Sequence, residues 1–287
     1  MRKSKTVFWL FLAPCLITFC IAVIIPTITG IYYSFTAWDG LHANCEFVFL
    51  DNYLKVFQDS YFLNAAVFTF KFVIVSVIAI NAVAFAAALL VTQNIKGRNL
   101  FRSIYFMPNL VGGVLVGFAW QFILCDVFDS MGEMMGIDWL CDWLSTPATG
   151  FWGMVIVVVW QMSGYMMLIY IAQIQNIPEN LLESAKIDGA TSFQCFLRIK
   201  LPLMMPAFTI GLFLTLTNCF KLYDQNLTLT GGGPAKSTEM LTMDICNTAF
   251  SRNMYDLAQA KGIIFLIVVA VITVGQLMFT KSKEVEM

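Results

Sequence analysis

The sequence predicts an all-α protein built of membrane-spanning helices, on three observations. Of its 287 residues, 59% are hydrophobic and only 12% are charged, whereas soluble domains hold roughly 45–50% apolar residues. The apolar residues gather into six stretches, each at least as long as the ~20 residues needed to cross ~30 Å of hydrocarbon at ~1.5 Å per residue. The Lys and Arg between them fall in alternate loops, the asymmetry that orients a polytopic chain. No linker, repeat or low-complexity tract interrupts the pattern, so residues 1–287 read as one transmembrane domain.

The first span is expected over residues 7–35, with Pro14 and Pro26 as points where it can bend. Its basic start, Arg2, Lys3 and Lys5, suits a signal peptide. The apolar run is longer than a ~7–15 residue signal core and lacks a small-x-small exit, so it reads as retained. Further spans are expected over 62–92, 104–124, 150–174, 203–223 and 257–280. Eleven of the seventeen basic residues lie before the first span, between the second and third, between the fourth and fifth, or after the sixth. Cytoplasmic flanks carry that excess, so both termini are expected in the cytoplasm. The outer loop over 125–149 holds Asp126, Asp129, Glu133, Asp138 and Asp142 and no base. Cys125 and Cys141 share that loop and can pair.

Little chemistry is written inside the spans. Lys71, Lys221 and Lys261 lie near the expected outer face, where snorkelling to the surface accounts for them. No span has a carboxylate near its middle, which argues against an ion-coupled secondary transporter, the alternative kept open here. The single histidine, His42, is in a loop, and there is no G-x-x-x-x-G-K-[ST] phosphate cradle. The chain therefore lacks the parts of a membrane-embedded enzyme, of a metal site, and of a nucleotide site of its own.

The expected cytoplasmic segment between the fourth and fifth spans is unlike a simple connector. Pro178 and Glu179 start a helix that meets Gly189, and Thr191 and Ser192 can cap a second helix that Pro202 is expected to break. Phe193, Phe196, Leu197 and Ile199 gather on one face of that second helix. Two short amphipathic helices can serve as a docking surface or lie flat on lipid, and the pattern alone leaves both open.

The stretch "ESAKIDGATSFQCFLRIKLP" resembles the EAA motif of ABC importer permeases at Glu183, Ala185, Asp188, Gly189, Ala190, Phe196, Ile199, Leu201 and Pro202, with Ser184 in place of an alanine. "FWLFLAPCLI", "MPNLVGGVLVGFAW" and "LTGGGPAKSTEML" resemble carbohydrate-uptake permeases, and most of all the subunit related to the first maltose permease. The large outer domain and two additional N-terminal spans of that protein are missing here. The resemblance implies a type I ABC importer permease fold in a bacterial or archaeal cell (inner) membrane. It also implies a second homologous permease, two copies of an ATPase subunit, and an extracytoplasmic solute-binding protein as partners, with lipid around them and no nucleic acid. No cofactor is then bound by this chain, since ATP and Mg are used by the ATPase. Glu183, Ala185, Asp188, Gly189 and Ala190, in coupling helices over about 178–201, would dock that ATPase.

The resemblance also places a sugar between the fourth and fifth spans. Gln161 and Tyr165 share a face of the fourth, and Thr215, Asn218 and Lys221 form a stripe on the fifth. Polar residues at membrane depth face a bundle interior or a water-filled cavity. Gln161, Tyr165, Thr215 and Asn218 are therefore the implied substrate-pathway residues, with hydrogen bonding between helices as the competing use of all four.

Overall fold

The computed structural model describes residues 2–42, 45–93 and 96–284. Its helices are α1 (Val7–Ser34), α2 (Asp51–Gln58), α3 (Ser60–Val91), α4 (Arg98–Phe106), α5 (Gly113–Met135), α6 (Pro147–Asn176), α7 (Glu179–Ile187), α8 (Ser192–Leu203), α9 (Met205–Phe220), α10 (Leu241–Cys246) and α11 (Tyr255–Lys281). Among the described residues the only extended pairing is the bridge between Thr36 and Phe47. Five helices, α1, α3, α5, α6 and α11, are long and apolar enough to cross a membrane. The pair α8 and α9, bent by 59°, makes a sixth when taken together.

Two of the expected spans are placed differently. The apolar run expected to be one helix over 104–124 is broken. After α4 the chain makes a tight 3-10 turn at Met107–Leu110, then runs extended at Val111 and Gly112 before α5 begins at Gly113. Hydropathy is blind to such a break, whereas Pro108 and the Gly112-Gly113 pair are its local cause. α5 then continues through a wide π turn at Ile123–Val127 to Met135, so Asp126, Asp129 and Glu133 are helical. The second difference is at Pro202, which does not end a helix. A π turn at Phe196–Lys200 precedes it, and α8 continues to Leu203. The bend falls at Met204, just before Pro206, whose missing N–H suits the first turn of α9. Cys125 and Cys141 are free thiols, directed at the carbonyls of Trp143 and Ile137 respectively.

The chain divides into two compact units. One comprises the residues up to Leu63 with Asp244–Ile267, the other Asn64–Met243 with Val268 onward. In the first, the Asn52 amide donates to the carbonyls of Ser34 and Thr36 at 3.0 and 2.9 Å, satisfying backbone that the end of α1 leaves open. The same unit holds a buried charge cluster. Lys261 Nζ lies 2.7 Å from Asp59 Oδ2, 2.7 Å from Asp244 Oδ2 and 2.8 Å from Thr248 Oγ1. Arg252 completes it at 3.5 Å from Asp59 and 3.3 Å from Asp244. Lys261 was expected to snorkel. It is instead fully buried, because two carboxylates that sequence distance hides from it come within reach and complete its three donor positions.

The core of the second unit is α6, whose Met154, Val157, Val158, Met166, Met167 and Tyr170 are all fully buried. Phe85 of α3 packs on Tyr170, Phe196 and Phe208. Asn81 joins three helices through side chains, donating to Thr215 Oγ1 at 3.0 Å and accepting from the Tyr170 hydroxyl. Gln173 Nε2 donates at 2.8 Å to the Leu203 carbonyl beside the α8–α9 bend. A backbone group freed within an apolar solvent needs such a partner.

Replacing Lys261 with Met leaves the buried Asp244 and the half-buried Asp59 with only the partly exposed Arg252. Thermal unfolding of the purified protein is expected to show a loss of about 3–5 kcal/mol, the usual cost of breaking a buried pair from one side. Burial raises the Asp59 carboxyl, but the hydrogen bond and charge of Lys261, the Tyr61 N–H and Arg252 outweigh it and hold the group below its ordinary value of 3.8. Its contribution is therefore fully present above about pH 4 and lost as pH falls through the lower folded value. The acid limb of stability should flatten in Asp59→Asn, and an unchanged limb would exclude this role.

Candidate functional site

The helix break before α5 opens a cleft. With α5 starting only at Gly113, a space of about 410 Å³ is left among Asn109, Gln161, Tyr165, Asn218, Lys221 and Asp224, with Met162, Leu222, Tyr223 and Gln225 completing the wall. Gln161 holds it in shape. Its Nε2 donates to the Val111 carbonyl at 2.9 Å, and its Oε1 accepts from Gln225 Nε2 at 2.6 Å. One buried amide thus ties the broken backbone on one side and the chain after α9 on the other. Tyr165 is exposed to the cleft one turn further along α6, with its ring centroid 6.5 Å from that of Phe106. Asn218 Nδ2 is bonded to the Leu214 carbonyl of its own helix at 2.8 Å, leaving its exposed amide oxygen toward the cleft.

Thr215 is placed elsewhere. Its hydroxyl is fully buried, donates to Gly211 O at 2.7 Å and accepts from Asn81, so it joins helices and does not line the cleft. Each three-residue step on a helix falls about 60° short of a full turn, so the stripe drifts around the axis, and here Asn81 of α3 meets Thr215 while Asn218 and Lys221 line the opening.

The second candidate, the segment between α6 and α9, is built by local chemistry. Gly189 has φ +82°, open to glycine and strained for residues with a Cβ. Around it the Ala190 N–H donates to Ala185 O at 2.9 Å and the Gly189 N–H to Lys186 O at 3.1 Å, the paired closure of a Schellman helix end. Thr191 and Gln194 then form a reciprocal capping box that starts α8. Ala185, Gly189 and Ala190 are therefore the parts of one turn. Glu183 and Asp188 are exposed beside it, as are Leu181, Ile187, Phe193 and Leu197.

Residues 84–280 match the family described as binding-protein-dependent transport system inner membrane component. The chain belongs to this family of importer permeases. It is 49% identical, over 99% of its length and 97% of the relative's, to a probable starch degradation products transport system permease protein of Thermoanaerobacterium thermosulfurigenes. It is 30% identical, over 96% of both chains, to a multiple sugar-binding transport system permease protein of Streptococcus mutans. In fold it matches a bacterial ABC transporter involved in the import of the acidic polysaccharide alginate, with a TM-score of 0.84, 23% identity, and 98% and 96% of the two chains covered. The permease thus has the type I ABC importer fold and is a membrane transport subunit, not an enzyme.

In this permease, Gln161, Tyr165 and Asn218 of the expected pathway residues come together, and Thr215 does not join them. Asn109, Asp224 and Gln225 also line the cleft and were not anticipated. Their only signals were polar residues beside Pro108 and just past the end of the fifth apolar run, positions that ordinary loops share.

Gln161→Leu orphans the Val111 carbonyl and the Gln225 amide together. A loss of about 1–3 kcal/mol in unfolding is expected. Thr215→Val should destabilise by about 1 kcal/mol, the usual net worth of one hydrogen bond, without altering which solute is carried. A changed solute preference in Thr215→Val would return that residue to the pathway.

Proposed function

We propose that this permease forms half of a sugar translocation pathway, working beside a second homologous permease, and that its cargo is oligosaccharides released from starch. The observation that carries this reading is the cleft at the α5 break, which sets amides, a hydroxyl, a lysine and an aspartate beside an aromatic ring. That is the lining a polyhydroxylated ring needs, since each buried hydroxyl wants a partner and its C–H face wants an apolar surface. The 49% identity to a permease named for starch degradation products supports the choice of cargo.

The coupling role is assigned to Glu183, Ala185, Asp188, Gly189 and Ala190. Ala185, Gly189 and Ala190 close the turn that presents α7, and Glu183 and Asp188 offer carboxylates to basic groups on an ATPase subunit. The exposed Ile187 and Phe193 give that partner an apolar surface to cover. Two ATPase copies bind ATP and Mg in the cytoplasm, where both termini of this permease lie, and an extracytoplasmic solute-binding protein delivers cargo at the opposite face. A solved bacterial alginate ABC transporter in complex with a pentasaccharide-bound periplasmic protein matches this fold with a TM-score of 0.81 at 23% identity.

The test is ATP-driven uptake of malto-oligosaccharides in vesicles holding the assembled importer. Asn218→Leu is expected to raise the KM for sugar about tenfold, one hydrogen bond to cargo, with assembly intact. Gly189→Trp is expected to abolish uptake while the permease stays in the membrane at its normal level, because a bulky side chain is strained at that φ. Uptake surviving Gly189→Trp would sink the coupling role. Crosslinks from Lys236 are expected to reach the binding protein, and crosslinks to cytoplasmic proteins alone would reverse the orientation.

A further inference from the structure

A second cleft in the unit holding α5 and α6 has no part in the function above. It measures about 380 Å³ and is lined by Gln121, Cys125, Trp143, Ser145, Thr230 and Gly233, with Leu144, Leu229 and Pro234. Its position follows from the register of α5. Gly113, Gly117 and Gln121 are spaced by four, so they lie along one face. Gly113 receives Asp224 and Gln225, and Gly117 receives Thr228. Gln121 shares the second cleft with Leu229 and Thr230. The π turn Asn226–Thr230 therefore runs along α5 as a seam. The first cleft lies at one end of the seam and the second at the other, eight residues or ~12 Å apart along the helix axis. Between them the seam is shut, since a Cβ on Gly117 would collide with the Thr228 hydroxyl.

The lining of the second cleft matches a sugar for its own reasons. Trp143 spends its indole N–H on the Trp139 carbonyl at 3.2 Å, so what its side chain brings to the opening is apolar ring. Gln121 brings an exposed amide, and Ser145 brings a hydroxyl whose donated bond goes to Asp142 O, leaving acceptor capacity, while the Thr230 hydroxyl is committed to Asn226, Gly232 and Thr238 and only shapes the wall. An aromatic face beside a carboxamide and a hydroxyl acceptor is how proteins hold a pyranose ring, whereas the cleft's lining side chains include no cation to favour an anion and no carboxylate to favour a metal. We propose that this cleft is a saccharide subsite at the outer end of the seam, occupied by one end of an oligosaccharide before Thr228 and Gly117 part. The inference rests on the sugar reading above, and its experiment separates the two.

Cys125 supplies the readout, because its free thiol lines the cleft. In vesicles holding the assembled importer, labelling by a small uncharged thiol reagent is followed with and without maltohexaose, with the Cys125→Ser importer giving the background from the other cysteines. Maltohexaose is expected to slow labelling of Cys125 several-fold. In Trp143→Ala the same protection should need about tenfold more sugar, the loss of one stacking contact, while Trp143→Phe restores it. Protection should persist in Asn218→Leu, whose change is in the first cleft. No protection in an importer that transports maltohexaose overturns the subsite and leaves the function standing. Protection lost equally in Asn218→Leu and Trp143→Ala overturns it as a separate site. An importer that neither transports nor is protected by the sugar overturns both.

Discussion

A broken helix inside a membrane leaves carbonyls with no water to bond, and in this permease the hydrogen bond from Gln161 to Val111 meets that requirement where the chain breaks beside the cleft. Each unsatisfied backbone group at that depth costs several kcal/mol, so a break survives only where a side chain answers it. Gln161 answers with its N–H and uses its remaining oxygen to hold Gln225, the first turn of the segment that returns along α5. The opening before Gly113, the seat of Asp224 and the seam beyond all follow from that one buried amide. Gln161 therefore positions its neighbours, with both ends of its side chain already committed, and the polar atoms of Tyr165, Asn218 and the half-buried Asn109 are the ones that line the cleft.

The same rule sorts the other polar side chains. Asn81, Tyr170 and Thr215 spend their groups on one another and join three helices at a fully buried point. Lys261 spends its three donors on Asp59, Asp244 and Thr248, and the cluster of two bases and two acids is neutral in sum. Both networks are internally complete, which makes them fastenings. The cleft is the place where polar groups converge without completing one another, and incompleteness is what a binding surface requires.

The all-helical, membrane-spanning architecture was legible in the sequence because hydropathy acts over whole spans and needs no partner to be read. The turn at Gly189 was legible too, since its chemistry is local: a residue at positive φ, a cap at Thr191 and a reciprocal Gln194 all lie within six residues. What escaped was whatever depends on a distant neighbour. Thr215 and Asn218 belong to one stripe, and only the placement of Asn81, more than a hundred residues away, decides that one fastens helices while the other faces a cavity. Lys261 was misplaced for the same reason, its carboxylates being 17 and 202 positions off. The break in the third apolar run was written in Pro108 and Gly112, but a scale that averages over a span outweighs two residues.

The segment between α6 and α9 is fastened so that a displacement of it reaches the cleft. Its entry follows α6 and its exit leads through the bend at Met204 into α9, the two helices that supply Gln161, Tyr165 and Asn218. Gln173 of α6 bonds the Leu203 carbonyl beside that bend, and Phe85 packs against Phe196 and Phe208 on its two sides. The loop is thereby latched to both helices at its root. A force applied to Ile187 and Phe193 by a docked ATPase would be borne by α6 and α9 together instead of being absorbed in a slack connection, and packed helices move as bodies because their interiors do not compress. The cleft lies between those two helices, the chain that follows α9 and the turn at Asn109 that leads into α5. A displacement of those helices against that turn changes the opening directly and strains the contact of Thr228 with Gly117, so the cleft and the seam answer to one movement.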